Sequence, residues 1–114
     1  MLNLSLKQLS QQLREKAFSS EELTRFFLDR IKKHNDRLNA FITINEEESL
    51  SMAKKADITI ANGNQSLFTG IPIAQKDIFC ADGWRTTCGS KMLENFVAPY
   101  NATVIQNFND AGAI

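Results

Sequence analysis

The sequence has 114 residues, enough for one small domain with a core of its own. Hydrophobic residues make up 43% and charged residues 23%, ordinary globular values that argue against disorder. Thirteen basic side chains balance thirteen acidic ones, so a one-sided field for nucleic acid or an anionic membrane is not expected.

The first residues lack the basic segment and apolar run of an export signal, and no stretch is long enough to span a bilayer. Cys80 and Cys88 have no His or further Cys nearby to complete a metal site. Two such thiols fit a reducing compartment, and a cytoplasmic location is the expectation.

The N-terminal third reads as a helical hairpin. Ser5 with Gln8 makes a capping box, Leu4 and Leu9 flank it as a staple, and Leu6, Leu9, Leu13 and Ala17 share one face. Ser19 with Glu22 repeats the box, Phe18 and Leu23 repeat the staple, and Leu23, Phe26, Phe27 and Ile31 form the stripe of a second helix. His34 falls at the end of that helix among polar neighbours, where it reads as a surface or C-cap residue with no partner for catalysis. Asn39 to Ile44 is short, β-branched and aromatic, a candidate strand. Asn45 with Glu48 opens a third helix whose small residues Ala53 and Ala56 suggest close packing, and Asn62-Gly63 stops it.

Gly70-Ile71-Pro72-Ile73-Ala74-Gln75-Lys76-Asp77 is an apolar run opened by Gly, which predicts a strand that delivers a lysine and an aspartate at its end. Burial there would disfavour the ammonium form and allow Lys76 to act as a base. Spacing alone favours the plainer reading, in which Lys76 marks the point where the strand meets water.

Beyond it, Asp82-Gly83 turns, and Arg85 to Ser90 is rich in hydroxyl and thiol groups. Lys91 to Phe96 can form one helical turn, capped by Ser90. Asn101 is the expected cap of a fourth helix in which Val104, Ile105 and Phe108 face inward and which Gly112 stops. Ala113-Ile114 then reads as the start of a strand. Half of an αβ unit with no partner strand predicts a chain that is incomplete at its C-terminal end.

A hydrolase with an activated hydroxyl needs a nucleophile, a base and oxyanion donors. No Gly-x-Ser-x-Gly elbow, Gly-rich phosphate loop or paired-His metal motif occurs. Spacing leaves Lys76 as a possible base and does not name the reaction.

The motif Gly70 to Asp77 resembles the lysine motif of the amidase signature family. Within that family, Arg85-Thr86-Thr87-Cys88-Gly89-Ser90-Lys91-Met92-Leu93-Glu94-Asn95-Phe96 resembles the glutaminase subunits of tRNA-dependent amidotransferases. Ser19-Ser20-Glu21-Glu22-Leu23, Leu38-Asn39-Ala40-Phe41-Ile42 and Asn101-Ala102-Thr103-Val104 with Ala111-Gly112-Ala113 agree, in order along the whole chain.

The resemblance implies an α/β fold, with residues 1–114 as the N-terminal portion of a single amidase domain. That portion would hold a helical hairpin and the start of a mixed sheet flanked by helices. The family triad is Ser, a second Ser in a cis peptide bond, and Lys. Only the lysine maps here, at Lys76; both serines would lie beyond Ile114, and Ser90 matches neither. Gln75 stands where an aliphatic residue is common and Ile78 where Asn is common.

The implied activity is release of ammonia from glutamine. The ammonia converts mischarged Glu-tRNA(Gln) to Gln-tRNA(Gln) with subunits B and C. ATP and magnesium would be used by the partner subunit, and no cofactor is expected in this chain. The 114 residues alone are expected to be inactive, since a base without a nucleophile cannot attack an amide. Two other readings are a small-amide hydrolase of the same family and a non-catalytic helical module that binds a partner.

Overall fold

In the computed structural model, which describes all 114 residues, the first three helices begin where the capping patterns place them. Helix α1, Leu6–Arg14, starts on a complete capping box: Ser5 Oγ accepts the Gln8 N–H, and Gln8 Oε1 accepts the Ser5 N–H at 2.8 Å. Leu9 and Leu13 are buried. Leu6 is 57% exposed, and Ala17 lies past the helix end, so the inward face is narrower than the spacing predicts. The chain reverses at Lys16, with φ +57°.

Helix α2, Ser20–Leu38, has all of its leading N–H groups accounted for. Ser19 Oγ takes Glu22 N–H, and the Ser19 carbonyl takes Leu23 N–H. The Asp57 carboxylate, reaching from the third helix, takes Ser20 N–H at 2.6 Å and Glu21 N–H at 3.1 Å. The helix runs a turn past His34, which is half-buried and does not cap it. Asn39 is the cap, in the left-handed region at φ 48°.

No strand forms over Asn39–Ile44. The Asn35 side chain accepts both Ala40 N–H and Phe41 N–H and donates to the Phe41 carbonyl. Those groups are thereby withdrawn from any sheet. Helix α3, Glu46–Ala61, follows with Asn45 as cap and Glu46, Glu47 and Glu48 in its first turn, where the helix dipole favours negative charge. Ala53, Ala56 and Ile60 are buried, and α3 packs against α2.

The main apolar cluster joins Leu9 and Leu13 of α1, Leu23 of α2, Ile60 of α3 and Ile71. It is anchored at Gly70, whose carbonyl accepts a hydrogen bond from the buried Ser20 hydroxyl at 2.8 Å. A side chain at Gly70 would meet Ser20 at 3.0 Å, and φ there is +82°, so this close approach needs glycine.

The segment after Gly70 is extended but forms no regular strand. Ile114 N–H donates to the Ile71 carbonyl at 3.0 Å, and Ile73 N–H donates to the Ile114 carbonyl at 2.8 Å. These two bonds make a single rung of parallel pairing, so the expected sheet is represented only by its first contact. An isolated antiparallel bridge joins Arg85 and Val97. The turn at Lys91–Leu93 is 3-10, with Ser90 capping it through Met92 N–H at 3.2 Å.

Helix α4, Thr103–Asp110, departs from expectation at its start. Its cap is Ala102, without a side-chain bond. The Asn101 amide is taken up instead by Asp82 N–H at 2.8 Å and by Gln106 at 3.0 Å. Ile105 is buried as expected, but Val104 is exposed. No helix is long and apolar enough to cross a membrane.

Candidate active site

Lys76 sits at the end of the extended segment that begins at Gly70, just before a turn at Asp77 and Ile78. Within these residues the lysine is exposed and forms no ion pair. The burial that would suppress its charge is therefore not supplied here, and its placement is that of an extended segment's end meeting solvent. It is not isolated, however. Lys76 lines a cleft of 1260 Å³ together with Asp77, Cys88, Gly89, His34 and Ile114.

Two segments meet at one wall of this cleft. Asp77 Oδ1 accepts Thr87 N–H at 3.0 Å, and Asp77 Oδ2 accepts the Thr87 hydroxyl. The Asp77 carbonyl accepts Cys88 N–H at 2.8 Å. The Thr87 hydroxyl also accepts Gly89 N–H at 3.1 Å. Thr86 and Thr87 are both buried. The result is a clasp that ties the turn carrying Cys88, with φ 53°, to the residue beside Lys76.

The Ser90 hydroxyl serves its local cap, and Ser90 is not among the residues lining the cleft. His34, from α2, also lines the cleft. Away from the cleft, a hydrogen bond with Cys80, reinforced by that group's charge, raises the Tyr100 hydroxyl above its ordinary range. Cys80 and Cys88 are both free thiols.

Sequence reasoning singles out Lys76 but assigns no work to Asp77 or Thr87. Hydroxyl density between Arg85 and Ser90 is the available signal, and pairing with a carboxylate ten residues earlier is invisible to local patterns. The chain itself offers an exposed amine that lines the cleft, with no nucleophile hydrogen-bonded to it.

The family model described as Amidase matches residues 22–114. The glutamyl-tRNA(Gln) amidotransferase A subunit of Nitrosomonas eutropha is 62% identical over 114 residues, covering 100% of this chain and 24% of that protein. The protein of the same name from Nitrosomonas europaea is 64% identical, again over 100% of this chain and 24% of its own length. The native peptide amidase from Stenotrophomonas maltophilia superposes with a TM-score of 0.92 at 28% identity, over 98% of this chain and 23% of that one. The chain thus spans about a quarter of the length of the curated relatives it matches.

Proposed function

The chain belongs to the amidase family, and from that premise we propose that it is the N-terminal portion of a single amidase domain in the glutamine-hydrolysing component of an amidotransferase. The observation that carries this reading is the 62% identity that extends over every residue of the chain. In the proposed whole protein, Lys76 is the base. It takes a proton from a bridging serine, which in turn takes one from the nucleophilic serine as that oxygen bonds to the glutamine amide carbon. The proton returns through the same relay to the nitrogen, the C–N bond breaks and ammonia leaves, and water then hydrolyses the glutamyl ester to glutamate. Both serines belong to the part of the domain beyond residue 114.

The ammonia then serves a partner subunit that activates the glutamyl group of mischarged Glu-tRNA(Gln) with ATP and magnesium. A third subunit completes a cytoplasmic heterotrimer. The balanced charge of this chain suits a subunit that leaves tRNA contact to a partner.

The test uses the whole protein, with and without its partner subunits, supplied with glutamine, ATP and Glu-tRNA(Gln). Ammonia release coupled to formation of Gln-tRNA(Gln) is expected. Rapid hydrolysis of simple amides with no transfer to tRNA would replace this reading with that of a small-amide hydrolase. The purified 114 residues should release no ammonia from glutamine.

A further inference from the structure

We propose that Asp77 and Thr87 act together as positioning residues for Lys76, a role that rests on the proposal that Lys76 is the base. A lysine has a long, flexible side chain, so its usefulness depends on how firmly its backbone is aimed. Burial does not restrain Lys76 within this chain, and no ion pair does so. What restrains it is the neighbouring residue.

Asp77 uses three oxygens on one partner turn: both carboxylate oxygens on Thr87, and its carbonyl on Cys88 N–H. Thr87 is buried and Asp77 half-buried, so these bonds are partly shielded from competing water, and a charged acceptor makes them stronger than neutral ones. The Lys76 carbonyl is fixed as well, accepting Phe79 N–H at 3.1 Å. The backbone on the C-terminal side of Lys76 is therefore bound at consecutive carbonyls, while Gly70 and Ile73 are bound on its N-terminal side.

The same clasp holds Cys88 in the left-handed region, a conformation that a residue with a side chain keeps only when its surroundings enforce it. Cys88 and Gly89 share the cleft with Lys76. Asp77 thus fixes two things at once: the backbone that carries the amine and the Cys88-Gly89 turn that lines the same cleft. Neither Asp77 nor Thr87 needs to touch substrate to do this.

The experiment measures glutamine hydrolysis by the whole enzyme with its partner subunits. Lys76→Ala is the control for the underlying reading; if it leaves the rate unchanged, the assignment of the base fails independently of the clasp. Given a dead Lys76→Ala enzyme, Thr87→Val should lower kcat about 10- to 100-fold with KM for glutamine within about threefold, the pattern of a misplaced catalytic group. Thr87→Ser, which keeps the hydroxyl, should recover most of the loss. Asp77→Ala combined with Thr87→Val should be no slower than the worse single variant, because the two act as one unit. An unchanged kcat in Thr87→Val overturns the proposal. So does a Thr87→Ser enzyme as slow as Thr87→Val, or additive losses in the double variant.

Discussion

Lys76 shows how little a single residue reveals without its surroundings. In the 114 residues it is an exposed amine at the end of an extended segment, close to the plainest reading its spacing allows. Its proposed role depends on a motif that resembles the lysine motif of amidases and on a clasp that local patterns do not display. Gly70 is the opposite case, because its requirement is fully visible. A Cβ there would lie 3.0 Å from Ser20 Cβ and Oγ while φ is +82°. Gly70→Ala should therefore destabilise the chain by about 2 kcal/mol or more, from left-handed strain together with overpacking. Chemical denaturation of the two proteins checks this, and a midpoint shift close to zero would contradict it.

At the scale of elements, helix starts are legible because capping boxes are local. Ser5 with Gln8 and Ser19 with Glu22 use residues three apart, and both form as the sequence predicts. Where the competing partner is remote, the same grammar misleads. Asn101 has the sequence of a cap, but Asp82 N–H and Gln106 claim its side chain, and α4 begins on an uncapped Ala102. Asn39–Ile44 has strand composition, but the Asn35 side chain binds its leading backbone groups. The segment Ile71–Ala74 is extended and starts from a buried Ile71, as its apolar run predicts. It falls short of a ladder because it pairs with Ile114 alone.

The start of α2 adds a partner that no local pattern contains. Asp57 satisfies the N–H groups of Ser20 and Glu21 from across the α2–α3 interface. Asp57→Ala should remove two charge-assisted bonds and cost roughly 2 to 4 kcal/mol, more than the ~1 kcal/mol expected for Ser19→Ala. Thermal denaturation of both variants tests the order, and an Asp57→Ala protein more stable than Ser19→Ala would contradict it.

For the whole molecule, the radius of gyration is 14.5 Å, above the roughly 13 Å expected of a compact domain of this length. Only 19 of 114 residues are buried, and the apolar cluster centres on five side chains. Leu38, Ile42 and Ile44 stand exposed along the cleft. So small a core supplies little to offset chain entropy. The isolated 114 residues should unfold over a broad range with a midpoint below the ~45 °C at which ordinary mesophile domains begin to melt. A sharp, two-state transition above that temperature would contradict this.

The central claim is that Lys76 is the base of an amidase whose other catalytic groups lie beyond this chain. The most direct measurement is the rate of ammonia release from glutamine by the whole enzyme before and after Lys76→Ala. Loss of a general base should lower kcat by about 10²- to 10⁴-fold or more in a protein that still assembles with its partner subunits. A Lys76→Ala enzyme that releases ammonia within about threefold of the parent rate would contradict the account.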